Sequence, residues 1–357
     1  MKALARLVIV AGVISFGVSA CAQDGQFGDL MGRANTLIQQ GQKSEATKVA
    51  EEALKIAERS FGTDDPHIED VVALLAVLYL DQDRYLDAEV MYKRLLTFRE
   101  KTFGSNHPKV ADSLDVLAAF CLSLDKYVDA EPLLRRALDI REKVFGSDHL
   151  EVADSLHDLV LLYSAQNRFA DAEPLAKRAL AIREKSLGPD HLDVANSLNI
   201  LALGAVEETE QRLANAELLA KRALAIKEKV LGPNDPAVAE SLHTLAVVEW
   251  TLHHVSDAES LFKRALNIEE KAHGPNDPHV AMYLYGLADV YAEQGKYADA
   301  EPLFQRTLAL REKNLGPNHP DLVTKLEKYA RCLRNLKKPQ EAEAMEARAK
   351  AIRASQP

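Results

Sequence analysis

Apolar positions along the chain fall three and four residues apart, in runs of 12 to 20 residues separated by short polar breaks. Val110, Ser113, Leu114, Leu117, Ala118 and Cys121 make one such stripe, and Ala130, Leu133, Leu134, Ala137, Leu138 and Ile140 the next. Both have the spacing of one face of an α-helix, so the two runs predict an antiparallel helix pair. The pair then repeats. Glycine recurs at Gly62, Gly104, Gly146, Gly188, Gly232, Gly274 and Gly316, at intervals of 42 residues except for 44 between Gly188 and Gly232. Phe103-Gly104-Ser105-Asn106-His107-Pro108 returns as Leu315-Gly316-Pro317-Asn318-His319-Pro320. Between the glycines, Asp129-Ala130-Glu131-Pro132-Leu133 returns as Asp171-Ala172-Glu173-Pro174-Leu175 and as Asp299-Ala300-Glu301-Pro302-Leu303. A period of this length marks a stack of identical supersecondary units.

The punctuation agrees with that reading. Each glycine suits a left-handed cap at the end of a second helix. Asp or His before Pro66, Pro108, Pro236, Pro278 and Pro320 suits an N-cap with proline at the first helical position. Glu89–Lys93, Glu131–Arg135, Glu173–Lys177, Glu217–Lys221 and Glu259–Lys263 are i,i+4 pairs in the favourable order. Pro132, Pro174 and Pro302 fit less well. They fall early in the second helices, which should therefore start late or bend there. The two extra residues near 204–212 should bulge or widen one turn.

These motifs resemble tetratricopeptide repeats, in the 42-residue form of kinesin light chains and nephrocystin-like proteins. The resemblance covers residues 27–353 and implies an all-α, right-handed superhelical solenoid of about eight antiparallel helix pairs, with 21–26 as a short linker and 354–357 as a tail. It implies a partner groove lined by the first helix of each pair. The groove positions are set relative to the small residues Ala76, Ala118, Val160, Ala202, Ala246, Ala288 and Ala330. From the first of these to Ala288 they hold the acids Asp70, Asp81, Asp112, Asp115, Asp154, Glu207, Glu240, Asp289 and Glu293, and no Lys or Arg. His157, Asn196, Asn199, His243, Trp250, Met282 and Tyr285 complete the lining. An acidic trough with an aromatic patch suits a basic, partly extended peptide or protein segment, with Trp250 as a candidate anchor. The bland alternative is a solvated charged face, with Trp250 packed between repeats. Family members that clamp a C-terminal carboxylate use Lys and Asn on adjacent first helices, and the lack of Lys at these positions argues against that mode.

Composition narrows the function. A net charge of −10 excludes nucleic acid as the main partner, because phosphate binding needs a basic surface. The chain shows no HExxH, GxSxG or phosphate-cradling glycine loop, and its acids are periodic, so neither an enzyme nor a cofactor site is expected. His107, His149, His191 and His319 recur one per turn and alternate with Asp, as caps rather than metal ligands. Cys121 and Cys332 read as small buried hydrophobes.

Residues 1–20 form a candidate signal segment: Lys2 and Arg6, then an uncharged run from Leu7 to Val18, too short to span a bilayer as a helix. Val18-Ser19-Ala20-Cys21 resembles a bacterial lipoprotein signal and implies lipidation at Cys21 and a periplasmic protein on the outer membrane. A plain secretory signal cut nearby is the alternative. The expected function is a non-enzymatic binding scaffold in the cell envelope, touching the membrane only through that anchor. The alternative is an assembly platform that self-associates.

Overall fold

Caps and glycines in the sequence mark the junctions between helix pairs. The computed structural model describes residues 25–63, 65–204 and 210–355. The signal and lipidation readings at residues 1–21 lie outside them, as does Glu207. The described residues form sixteen helices in eight consecutive pairs and no strand. They group into two compact units divided between Ile182 and Arg183. The first unit holds α1 (Gln26–Gln39), α2 (Lys43–Ser60), α3 (Pro66–Asp81), α4 (Tyr85–Phe103), α5 (Pro108–Ser123), α6 (Tyr127–Phe145) and α7 (Leu150–Ala165), and the division falls inside α8 (Phe169–Leu187). The second holds α9 (Leu192–Gly204), α10 (Glu210–Leu231), α11 (Pro236–Thr251), α12 (Val255–His273), α13 (Val280–Glu293), α14 (Tyr297–Leu315), α15 (Leu322–Asn335) and α16 (Pro339–Ala354). No helix among the described residues is long and apolar enough to cross a membrane.

Each pair buries the two predicted stripes against each other. Val110, Ala111 and Leu114 of α5 pack on Ala137 and Ile140 of α6, all at 1% exposure or less. Fully buried alanines at 118, 130 and 137 let the helix axes approach.

Asp65 and Asp235 accept hydrogen bonds from the N–H groups two residues on, at 3.0 and 2.8 Å, and His107 does so through Nδ1 at 3.2 Å. The histidines of this turn are caps, as their alternation with Asp predicts. At the last two junctions the capping bonds persist, but α13 and α15 begin after Pro278 and Pro320, which therefore lie outside the helix.

The glycines depart from the expected cap. The seven have φ between 86° and 90°, and at Gly104, Gly146, Gly274 and Gly316 ψ is 152–160°. That is an extended region open essentially to glycine alone, not the left-handed helical region. Positive φ of 57–62° also occurs in the turn inside five of the pairs, at Asp83, Asp125, Asn167, His253 and Lys337, with Gly41 and Gly295 in the matching place of two more.

The second helices do not start late at their prolines. α6 begins at Tyr127, so Pro132 lies in its second turn. The carbonyl left without an N–H partner is that of Val128, whose side chain is 84% exposed, and water can serve it there. The two-residue insertion is partly taken up by helix: α10 has 22 residues against 19 in α4, α6, α8, α12 and α14.

The predicted i,i+4 pairs form, at 2.6 Å for Glu89–Lys93 and 2.9 Å for Glu131–Arg135. A longer ladder joins consecutive second helices: Arg94–Glu58, Arg136–Glu100, Arg178–Glu142, Arg222–Glu184, Arg264–Glu228, Arg306–Glu270 and Arg348–Glu312, all at 2.5–2.7 Å. Arg178 and Arg348 also donate to the carbonyls of Ser147 and Pro317 in the loop between pairs, at 2.8 and 2.7 Å.

Candidate partner-binding face

The first-helix face carries more cations than the sequence positions suggest, because they come from the second helices. Arg99, Arg141, Arg183 and Lys227 follow the apolar residues Phe98, Ile140, Ile182 and Ile226, and all four are buried. Each long side chain reaches back to the first helices. Arg99 Nε donates to Glu69 at 2.8 Å and its Nη1 to Ser113 Oγ at 2.9 Å. Arg141 meets Asp112 at 3.0 Å, Asp115 at 2.6 Å and Glu151 at 3.3 Å, and donates to Ser155 Oγ at 2.7 Å. Arg183 donates to Ser197 Oγ at 2.8 Å, and Lys227 pairs with Glu240 at 2.7 Å.

In the first unit, therefore, Asp112 and Asp115 are held by one guanidinium rather than offered to a ligand. Asp115 is largely desolvated, and burial pushes its carboxyl up to about 6 against the pull of Arg141. Burial and the neighbouring Glu69 also raise Asp70, opposed by His67 and Lys109. Asp81 pairs with Lys43 at 2.6 Å. Asp154 is exposed and His157 half-buried.

In the second unit Asn196 is half-buried, while Asn199 is 4% exposed and donates to Ser241 Oγ at 2.8 Å. His243 lies edge-on to Phe262 and Tyr283, with ring centroids 5.6 and 5.7 Å away. Burial drops its pKa to about 4, so it is neutral at pH 7 and contributes as an aromatic core residue. Met282 packs beside Tyr283 against the core of α11 and α12.

Trp250, Tyr285 and Asp289 do converge. A cavity of about 490 Å³ opens among α11, α13, α14 and α15. Trp250, Ala292, Tyr297, Phe304 and Cys332 supply its apolar wall. Asp289, Glu293, Lys328, Arg331 and Asn335 supply its polar groups. The Trp250 indole N–H donates to Glu293. Lys328 Nζ sits 2.5 Å from Asp289 and lies 5.4 and 5.2 Å from the ring centroids of Trp250 and Tyr285, within cation–π range. Lys325 Nζ also lies over the Tyr285 ring, 5.1 Å from its centroid. Burial raises Asp289, opposed chiefly by Lys328. Arg331 is exposed and makes no ion pair among the described residues.

Two expectations are thereby corrected. The acids do not form a free trough, since Asp112, Asp115, Glu240 and Asp289 are each paired. The face is also not devoid of cations: Lys328, Arg331 and Asn335 bring Lys, Arg and Asn to one cavity. The Arg or Lys that recurs beside an apolar residue at Arg99, Arg141, Arg183 and Lys227 was the sequence signal for the first point.

The tetratricopeptide repeat family matches residues 69–143, 114–185, 193–271, 255–313 and 279–355, and a second family of the same description matches 30–67. No relative is found among the curated proteins. Among solved structures, the chain is similar to the apo form of the quorum sensor NprR from B. thuringiensis, at 13% identity and a TM-score of 0.65 over 93% of this chain and 89% of that one. It is similar to a Rap protein complexed with competence and sporulation factor, at 15% identity and a TM-score of 0.56 over 93% and 98%. It also resembles BtubC from P. vanneervenii, at 23% identity and a TM-score of 0.50 over 65% and 91%. At these identities the likeness is one of fold.

Proposed function

Because the chain belongs to the tetratricopeptide repeat proteins, we propose that it is a protein-interaction scaffold that anchors a partner segment in the cavity beside Trp250. The observation that carries this reading is the cavity itself: an aromatic wall, a tryptophan fixed by Glu293 and an exposed Arg331 in the lining. Binding hot spots favour Trp and Arg in such partly enclosed settings. The partner is a protein or an extended peptide with an apolar or aromatic side chain to lay against Trp250, flanked by charge. The ion pairs at Asp112, Asp115, Glu240 and Asp289 weaken the case for a purely basic ligand, because a paired carboxylate has less field left to offer. The likeness to a quorum sensor and to a Rap protein in complex with a factor supports a binding role on this fold. A location in the cell envelope, through the signal segment and Cys21, rests on the sequence of residues 1–21 alone.

Capture from a detergent-solubilised envelope tests the reading, with wild type, Trp250→Ala and Arg331→Glu as baits. Arg331 is exposed, so its reversal leaves the fold intact. A partner caught by wild type and lost with both variants is the expected result. Equal capture by all three moves the interaction to another face. No capture, together with a size that grows with concentration in light scattering, favours the self-assembling platform. Asp115→Lys is unsuitable as a probe, since it would set a second cation beside buried Arg141.

A further inference from the structure

One repeat breaks the pattern at three positions at once. Where the second to fifth and seventh pairs carry Arg99, Arg141, Arg183, Lys227 and Arg311, the sixth carries Glu269. Where they carry Phe103, Phe145, Leu187, Leu231 and Leu315, it carries His273. Where they carry Lys109, Glu151, Asp193, Ala237 and Asp321, it carries His279, a residue shared only with His67 of the first junction, where Asp65 is the neighbouring cap and no Glu or His matches Glu269 and His273. The first two changes introduce metal-ligating side chains where the other pairs have none, and with His279 they surround the capping residue Asp277.

We propose that Glu269, His273, Asp277 and His279 form a binding site for a divalent transition ion of borderline softness, with Zn²⁺ as its probe. Glu269 and His273 are four apart on the last turn of α12 and share one face, with His273 Nδ1 2.9 Å from Glu269 Oε1. The chain turns at Gly274 and brings Asp277 and His279 to the start of α13, where His279 Nδ1 lies 2.8 Å from Asp277 Oδ1. Ligand atoms of Glu269, Asp277 and His279 all lie within 4.8 Å of one another. Two imidazole nitrogens and two carboxylate oxygens are a donor set that Zn²⁺ accepts in tetrahedral geometry.

A second observation points to a cation here. The Glu269 side chain is only 5% exposed, yet its ion-pair partner among the described residues is His273, which is charged only when protonated. In the second to fifth and seventh pairs a permanent guanidinium or ammonium occupies the corresponding place, and a buried charge is retained where it is paired or binds a metal. His273 and His279 are 44% and 64% exposed, which gives an ion a way in. A second trio, Glu249, His254 and Asp257 at the other end of α12, lacks this argument, because Lys221 stands 3.6 Å from Glu249.

The test is a calorimetric titration of chelator-treated, tag-free protein with Zn²⁺ alone, paired with melting curves. Wild type should bind one equivalent and melt higher with the ion. A His273→Phe, His279→Lys double variant takes the residues of the second pair and so keeps a side-chain set the fold already uses. It should bind at least about tenfold more weakly, and Glu269→Arg likewise. His149→Ala with His191→Ala, which removes cap histidines elsewhere, should leave the one-equivalent step in place. No stoichiometric step in wild type, or an unchanged step in the double variant and in Glu269→Arg, overturns the proposal.

Discussion

Two turns alternate along the chain, and their backbone conformations decide which residues each can hold. Gly146, at φ 88° and ψ 159°, occupies ground that side-chain-bearing residues enter at a cost of about 1–3 kcal/mol. Nothing lies within 4 Å of a Cβ built there, so the cost is one of backbone alone. Asn167, at φ 57°, occupies the left-handed helical region that Asn tolerates, which is why that turn also accepts Asp, His and Lys in other repeats. Gly146→Ala should therefore lower unfolding free energy by about 1–3 kcal/mol, while Asn167→Gly should change it by less than about 1 kcal/mol. Denaturant titration decides between them, and equal effects would sink the distinction. The recurrence of the glycines was plain in the sequence. Their conformation was not, because a helix-ending glycine reads the same whether its ψ is near 45° or near 160°.

Between helices, the decisive contacts are long side chains whose reach a spacing rule ignores. The groove positions were counted along first helices, so Arg141 on α6 never entered the count although it holds Asp112 and Asp115 on α5. Arg136, one turn earlier, makes a different bond, to Glu100 on α4, with both partners about one-third exposed. Burial separates their energetic roles. Arg141→Ala should cost about 3–5 kcal/mol, since it strands Asp115 without its cation. Arg136→Ala should cost less than about 1 kcal/mol and lose even that in high salt. If the two variants unfold at the same denaturant concentration, the buried Arg141 cluster is not the stabilising device. The Trp250 cavity was legible only in part for a related reason. Trp250, Tyr285 and Asp289 were identified from one-helix positions, but Lys328, Arg331 and Asn335 come from α15, and only packing across three pairs brings them together.

At the scale of the whole chain, the period announced the architecture, but the sequence irregularity did not mark the structural division. The extra residues lie near 204–212, while the compact units part between Ile182 and Arg183. The reason is that α10 absorbs much of the insertion as an added turn, leaving the packed stripes in register. Within each unit, helices pack mainly on their immediate neighbours in sequence. Stability in such an array is a sum of repeat terms and nearest-neighbour terms, so damage should stay local. Leu156 of α7 is fully buried, and Leu156→Ala should cost about 2–5 kcal/mol at that site. Hydrogen exchange should then quicken in α5 to α8 while amides of α13 to α16 keep wild-type rates. Leu284→Ala in α13, also fully buried, should reverse the pattern. Should either change instead accelerate every helix by a common factor, the chain would be unfolding as one cooperative body. The two units would then share a single stability, and a partner bound beside Trp250 would stabilise the first unit as much as the second.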